Sequence, residues 1–351
     1  MNKYILVIKI FSLILYFQYP LSAQSEIAFF KHLTVEQGLS NNWAKAIAKD
    51  KEGFMWFGTF NGLNRFDGQV FKTFSNTNYT GLQDNFIQSL AVDSADNIWV
   101  GTFSGGLSRF DKKTETFQNF RHQPTNITSI NSNRINTLKL DKKNQLWIGT
   151  DKGLDLLLAN TNSFQHFRHD TKDATSITKG GVLALLEDSK GNIWVGTENG
   201  LNVYYTKQKK FKRYQKETTS LNDNRVRSLY EDKYGNIWVG TSNGTLAKLD
   251  LEKDDFTIFT LKNKQQEITK DAILDMNGDG EQQIYIATEG QGLFIFNIST
   301  NRFQNFFPNP TKDRTINSNS IHALFFDDDN ATLWVGTYNG GLNYFSKWDK
   351  P

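Results

Sequence analysis

The chain has 351 residues, with 40 lysine and arginine residues against 37 aspartate and glutamate residues, no cysteine and 14% aromatic residues. The lack of cysteine excludes a disulfide framework, a thiolate zinc site, an iron–sulfur cluster and a cysteine nucleophile. The nearly balanced charge argues against a nucleic-acid or anionic-membrane partner, and the high aromatic content with only 5 prolines argues against disorder.

Residues 1–23 are predicted to be a secretory signal peptide. An apolar stretch from Ile5 to Phe17 follows a basic start and precedes small residues that suit cleavage. Lys9 interrupts this stretch, so an uncleaved N-terminal membrane anchor remains the alternative. In either case we expect the rest of the chain, residues 24–351, to lie outside the cytoplasm.

One tetrapeptide recurs at nearly regular spacing along the chain. It reads Trp-Val-Gly-Thr or a close variant, and we call its first residue the anchor. The seven anchors are Trp56, Trp99, Trp147, Trp194, Trp238, Tyr285 and Trp334. They lie 43, 48, 47, 44, 47 and 49 residues apart, which indicates a repeat architecture.

Each repeat contains four short β-strand signals. An alternating run comes first, the anchor strand second, a run after a glycine turn third, and a run with an aromatic pair at i and i+3 fourth. An aspartate six residues before each anchor predicts a tight turn between the first two strands. These aspartates are Asp50, Asp93, Asp141, Asp188, Asp232, Asp279 and Asp328. Four strands per repeat describe a propeller blade, so residues 24–351 are predicted to form an all-β, seven-bladed β-propeller with four-stranded antiparallel blades.

The last repeat lacks a fourth strand of its own. Seven anchors are followed by only six aromatic fourth strands, and an unused strand signal at residues 30–33 precedes the first repeat. We predict that this N-terminal strand pairs with Leu342–Phe345 and closes the ring. The anchor tryptophans are predicted to fill the space between neighbouring blades, and the glycine two residues later to permit a crowded backbone approach.

The sequence pattern of the repeat resembles that of a known family. The segment Asp188–Leu201 reads D-x-x-G-N-I-W-V-G-T-x-x-G-L, and residues 37–42 read Q-G-L-S-N-N. Over residues 27 to about 346, the chain is similar to the two-component regulator propeller repeats of Bacteroidota hybrid regulators. The resemblance implies a periplasmic sensor region, an oligosaccharide ligand, and a membrane histidine kinase or further downstream sensor domains as partners. Kinase activity would lie in domains that this chain does not include.

No motif in the sequence predicts catalysis, a metal or a cofactor. Asp275–Gly280 resembles the start of a calcium loop, but its twelfth position is Ile286 instead of a glutamate. Asp279 also stands where the other repeats have their turn aspartate, so a hairpin turn is the preferred interpretation. His166 and His169 have a spacing that suits a metal poorly on a strand. The chain is therefore predicted not to be an enzyme, with no catalytic residue, metal site or cofactor.

The candidate ligand-binding residues come from two variable positions of the repeat. One position leads into each first strand and the other follows the anchor threonine, and in a propeller both lie around one mouth of the central channel. Sugars need aromatic faces for their C–H surfaces and planar polar groups for their hydroxyls. The predicted ligand-binding residues are Trp43, Phe60, Phe86, Phe103, Arg134, Arg225 and Tyr338.

The sequence thus predicts a non-catalytic periplasmic propeller that recognises an oligosaccharide for a two-component system. The same side chains would also suit a protein–protein scaffold that docks on a partner sensor kinase. A propeller enzyme related to streptogramin lyases is a second alternative.

Overall fold

The computed structural model describes residues 28–79, 81–263, 267–312 and 314–347, so the predicted signal peptide lies outside the described residues. Within these ranges, strands β1 to β28 form seven four-stranded antiparallel sheets. The first strands of neighbouring sheets contact each other around a closed ring, and β26 of the last blade contacts β2 of the first. The predicted seven-bladed β-propeller is confirmed.

The strands follow the chain from the inner to the outer edge of each blade. Blade one contains β2 (Ala44–Lys49), β3 (Met55–Thr59), β4 (Gly62–Phe66) and β5 (Phe71–Phe74). Blade two contains β6 (Ile87–Val92), β7 (Ile98–Thr102), β8 (Leu107–Asp111) and β9 (Thr116–Phe120). Blade three contains β10 (Ile135–Leu140), β11 (Leu146–Thr150), β12 (Gly153–Leu157) and β13 (Phe164–Phe167). Blade four contains β14 (Val182–Glu187), β15 (Ile193–Thr197), β16 (Gly200–Tyr205) and β17 (Lys210–Tyr214).

The remaining three blades repeat this order. Blade five contains β18 (Val226–Glu231), β19 (Ile237–Thr241), β20 (Leu246–Asp250) and β21 (Asp255–Phe259). Blade six contains β22 (Ile273–Gly278), β23 (Gln283–Thr288), β24 (Leu293–Asn297) and β25 (Arg302–Phe306). Blade seven contains β26 (Ile321–Asp327), β27 (Thr332–Thr337), β28 (Leu342–Ser346) and the N-terminal β1 (Lys31–Leu33). A short 3-10 turn, Val35–Gln37, follows β1. No helix within the described ranges has the length and apolarity needed to cross a membrane.

The N-terminal strand closes the ring as predicted. Strand β1 pairs antiparallel with β28, with Lys31 opposite Tyr344. Phe30, just before β1, is only 1% exposed. Its ring packs edge-on against Phe345 of blade seven and Phe306 of blade six, with centroids 5.1 and 5.8 Å apart. The closing segment therefore joins two blades instead of merely extending one sheet.

The apolar core lies between the blades. Seven hydrophobic clusters each combine residues of two adjacent blades, and every anchor lies in the cluster shared with the following blade. Trp194, for example, packs with Val226 and Ile237 of blade five. A Cβ atom on Gly196 would lie 2.7 Å from the Val226 side chain and 2.9 Å from its carbonyl oxygen. The predicted roles of the anchor and the glycine in blade packing are confirmed.

The turn aspartate has a second role that the sequence did not reveal. In blade four, Asp188 accepts hydrogen bonds from the backbone N–H groups of Lys190 and Asn192 and from the indole N–H of Trp194, at 3.0, 2.8 and 2.9 Å. Blades one, two, three and five have the same aspartate–indole bond, at 2.8 to 3.0 Å. The aspartate thus fixes both the turn and the orientation of the anchor ring.

Blades six and seven depart from this arrangement. The anchor of blade six is Tyr285, and its Asp279 instead pairs with Lys347 at 2.6 Å. In blade seven the buried turn aspartate is Asp327, which accepts the backbone N–H of Asp329. The sequence-based choice of Asp328 was wrong, because the turn of this blade is one residue longer and Asp328 is exposed.

Phe30→Ala is expected to lower the free energy of unfolding by about 3–5 kcal/mol, because it leaves a cavity between two blades. Denaturant titration measures this loss. Phe307→Ala is the control, since Phe307 is 37% exposed and should contribute much less. Equal losses in the two variants would contradict a stabilising role for the closing segment.

Trp194→Phe is expected to destabilise the protein more than Trp334→Phe, by about 1–2 kcal/mol, because only the former breaks a buried hydrogen bond to a carboxylate. Trp334 is also buried, but within the described residues its indole has no aspartate partner. Denaturant titration of both variants tests the difference, and equal losses would show that the indole–aspartate bond adds little.

Candidate functional site at the channel mouth

A β-bulge recurs near the start of the first strand in all seven blades. In each case the pairing with the anchor strand skips one residue, as between Ala44 and Ala46 in blade one. The skipped residues are Lys45, Gln88, Asn136, Leu183, Arg227, Leu274 and His322. All seven line one cavity of about 400 Å³ in the central channel. Because a bulge redirects a side chain, the same defect brings seven different side chains to the channel.

Five predicted residues form one continuous aromatic surface beside this cavity, which we call the shelf. The centre is Trp43, whose ring lies 4.7 Å from Tyr338, 5.6 Å from Phe60 and 4.9 Å from Phe86, measured between centroids. Phe103 extends the shelf by stacking on Phe86 at 5.3 Å. The shelf spans blades seven, one and two, and its outer rings Phe60, Phe103 and Tyr338 are exposed.

Backbone hydrogen bonds hold the two variable positions side by side. The N–H of Phe60 donates to the carbonyl of Trp43 at 3.1 Å, and the N–H of Phe103 donates to that of Phe86 at 2.9 Å. Equivalent bonds occur in blades four to seven, including Tyr338 to Ser320 at 3.0 Å. A residue after the anchor threonine is therefore placed next to the residue that leads into the first strand of the same blade.

The two predicted arginines occupy different parts of the mouth. Arg134 continues the shelf into blade three, with its guanidinium 4.6 Å from the ring centre of Phe103. Arg225 lines the cavity from blade five and lies 3.6 Å from Glu198. Six of the seven predicted residues are thus in one group, and Arg225 faces the same cavity from another blade.

Sequence reasoning missed three residues at the mouth: Lys45, Arg227 and His322. Lys45 and Arg227 each stand eleven residues before their anchors, and His322 stands twelve residues before Trp334. Residues on both sides of this position are small or aliphatic in almost every repeat, whereas the position itself varies. That contrast was the available signal. It was missed because a bulge cannot be seen in simple strand alternation.

Two of the missed residues, Lys45 and Arg227, make the mouth cationic. Burial, then the charges of Arg227 and Arg134, lower the pKa of Lys45 to about 8. Burial, then Lys45 and Arg227, lower the pKa of His322 to about 4, so this imidazole is neutral at pH 7. Burial also lowers the pKa of Arg227, whose Nε donates to the Ser242 hydroxyl at 2.7 Å.

One half-buried carboxyl group of the channel wall belongs to Asp275. Burial raises the pKa of Asp275 to about 7, against the opposing effect of the backbone N–H groups of Leu324 and Met276, which donate to it at 2.8 and 2.9 Å. The bond to Leu324 joins blade six to blade seven. Asp275 belongs to strand β22 and not to a loop.

Two other charged clusters lie outside this cavity and have structural partners. The Asp50, Glu52 and Asp96 carboxylates approach one another, but the ammonium of Lys112 contacts all three. In the second, His166 contacts the fully buried Asp155 at 2.7 Å in blade three.

Comparison with known proteins identifies the family. The sequence model of the family described as two component regulator propeller matches six segments: residues 38–61, 81–104, 129–152, 176–199, 220–243 and 315–339. Each segment contains the first strand and the anchor strand of one blade. The chain belongs to the two-component regulator propeller family. Blade six lies outside the matched segments, in keeping with its anchor Tyr285.

Relatives of this regulator propeller belong to two-component systems. The extracellular domain of a hybrid two-component system from B. thetaiotaomicron has 27% identity and a TM-score of 0.78, with 91% of this chain and 42% of that chain covered. Histidine kinase P4 of Formosa agariphila is 42% identical over 71 residues, which are 20% of this chain and 5% of the kinase. The chain therefore spans less than half of these relatives.

A third comparison concerns the fold alone. Virginiamycin B lyase of Staphylococcus aureus has 11% identity and a TM-score of 0.68, with 90% of this chain and 98% of that chain covered. This likeness shows that the propeller architecture also occurs in an enzyme.

His322 is expected to make the stability of the regulator propeller depend on pH. The unfolded chain binds a proton near pH 6.5, but the folded chain binds it only near pH 4, so His322 lowers stability as the pH falls through this window. Asp275 acts in the opposite sense, because its folded pKa of about 7 exceeds its unfolded value of 3.8. The two effects partly cancel in the wild type.

Comparison of the wild type with His322→Gln isolates the contribution of this histidine to the pH dependence of stability. The variant should lose less stability than the wild type between pH 6.5 and 4, whatever constant offset its altered packing introduces. Denaturant titration at several pH values gives both curves. Parallel curves would contradict the low pKa of His322.

Proposed function

We propose that this regulator propeller is a non-catalytic, exported sensor module that binds an oligosaccharide on the aromatic shelf. This proposal rests on the continuous cluster of rings from Trp43 to Phe103, three of which are exposed beside a cavity. Exposed aromatic faces that are already packed against each other can cover the C–H surface of a sugar with little loss of side-chain freedom. Planar Arg134 at the end of the shelf can donate to sugar hydroxyls.

The family context supports a signalling role for this binding. The relatives named above are an extracellular domain of a hybrid two-component system and a histidine kinase. We therefore propose that ligand binding at the shelf is communicated to a membrane kinase, in the same protein or in a partner. The periplasm is the proposed location, with export directed by residues 1–23.

Tyr338→Ala is expected to weaken oligosaccharide binding at least tenfold, about 1.4 kcal/mol, because it removes one exposed face of the shelf. Phe103→Ala should have a similar effect. Tyr234→Ala is the matched control, since Tyr234 is 60% exposed in a turn of blade five between the first two strands. Calorimetric titration with an oligosaccharide panel measures these affinities.

The same titrations separate the proposal from its alternatives. Equal binding by Tyr338→Ala and the wild type would contradict the shelf as the binding surface. Conversion of a bound oligosaccharide to new products, detected by chromatography, would contradict the non-catalytic role and favour a lyase-type enzyme. Binding to a sensor kinase without binding to any sugar would favour the scaffold alternative.

A further inference from the structure

Three cationic side chains at the channel mouth lack a carboxylate partner in the described ranges of the chain, although they line the same cavity. Within the described residues, Lys45, Arg134 and Arg227 form no ion pair. By contrast, the half-buried Lys49 and Lys112 each contact a buried carboxylate, at 2.7 and 2.8 Å. Arg134 is exposed, but Lys45 and Arg227 are half-buried, so leaving their charges unpaired carries a desolvation cost.

Lys45 shows this cost most clearly. Its ammonium faces the rings of Trp43 and Phe86, at 6.0 and 5.6 Å from their centres. In the described part of the chain it has neither a carboxylate within 4 Å nor a hydrogen-bond acceptor. Cation–π contacts offset only part of the desolvation of an ammonium group. The ammonium of Lys45 therefore lies beside the shelf without a counter-charge.

The carboxylates of the cavity form no ion pair with these cations within the described residues, although the charge of Glu289 opposes the lowering of the Arg227 pKa. Glu289 and Asp275 both line the cavity, and neither forms an ion pair within the described residues. The oxygens of Asp275 are occupied by two backbone N–H groups. His322 is neutral at pH 7 and competes for no anion. Arg225 is the only mouth cation with a carboxylate contact in this part of the structure, to Glu198 at 3.6 Å.

We propose that the channel mouth is an anion subsite, in which Lys45, Arg134 and Arg227 receive a carboxylate or sulfate carried by the saccharide on the shelf. This inference rests on the proposed function and makes it specific: the ligand is an acidic oligosaccharide. Guanidinium groups can donate two parallel hydrogen bonds to either anion, and the ammonium adds a point charge. The cavity of about 400 Å³ has room for such a group while the sugar ring stays on the aromatic surface.

Matched pairs of probes test the proposal on the full chain. Oligogalacturonides are compared with their methyl esters, and sulfated carrageenan oligosaccharides with their desulfated forms, so each pair differs mainly in charge. Calorimetric titration should show at least tenfold tighter binding of the acidic member of one pair. That pair identifies the anion as a carboxylate or a sulfate.

Substitution of Lys45 provides a second test of the anion subsite. Lys45→Met should reduce the affinity for the acidic probe at least tenfold and leave the neutral probe within twofold. The variant should fold, because it removes a half-buried charge that has no ion-pair partner in the described residues. Lys207→Met, at an exposed lysine, is the control and should change neither affinity.

The pH dependence of binding gives a readout that a purely structural role would not alter. Affinity of the wild type for the acidic probe should fall by up to about tenfold per pH unit above the pKa of Lys45, near pH 8. His322 stays neutral in this range. Asp275 and Glu289 are retained in Lys45→Met, so loss of the pH dependence in that variant assigns it to the lysine.

The outcomes separate this inference from the proposed function. Equal binding of acidic and neutral probes, both weakened by Tyr338→Ala, would overturn the anion subsite and leave the oligosaccharide sensor in place. Absence of binding by every probe would count against the oligosaccharide proposal itself.

Thermal unfolding in sulfate, without any sugar, tests the anion subsite independently. Sodium sulfate should raise the Tm of the wild type more than that of Lys45→Met or Arg227→Gln, with sodium chloride at matched ionic strength as reference. The general stabilising effect of sulfate is common to all three proteins and cancels in the comparison. Parallel rises in Tm would overturn the subsite whatever the sugar titrations show.

Discussion

Closure of the ring is the constraint on which the rest of the molecule depends. Seven sheets can converge on one axis only if the last blade packs against the first, and here that last blade includes a strand from the other end of the described chain. The pairing of Lys31 with Tyr344 completes the outer edge, while Phe30 locks blade seven to blade six. Fixing the ring fixes the distances between first strands, and therefore the shape of the channel that they line.

The repeated bulge converts a symmetric scaffold into an asymmetric site. Every blade supplies one redirected side chain, so the backbone is nearly the same seven times while the chemistry changes from Lys45 to Leu183 to Arg227. Blade packing depends on the anchor and on glycines such as Gly196, which lie at other positions of the repeat. The bulged position is therefore free to vary without weakening the core, which is what an individual ligand requires.

The sequence predicted the fold and the shelf because both depend on positions fixed relative to the anchor. Seven anchors and one unused strand signal were sufficient for the number of blades and for the closure by Phe30–Leu33. Trp43 and Phe60 were found because Trp43 immediately precedes β2 and Phe60 immediately follows β3. Lys45 was missed because a bulge shifts the alternation of faces by one residue, and the sequence signal of this position is only its variation between small or aliphatic neighbours. The indole–aspartate bond of Trp194 was missed because its six-residue spacing matches neither strand nor helix periodicity.

Two of the unpaired cations lie directly against the rings of the shelf. The ammonium of Lys45 lies against two rings of the shelf, and the guanidinium of Arg134 lies against a third. An internal carboxylate at this point would stabilise the free protein, but an anionic ligand would then have to displace it. Leaving the cations unpaired lowers the stability of the free propeller, as the depressed pKa of Lys45 reflects, and keeps that interaction for a ligand. A sugar on the shelf would also exclude water from the mouth, which strengthens the attraction between its anionic group and the same cations.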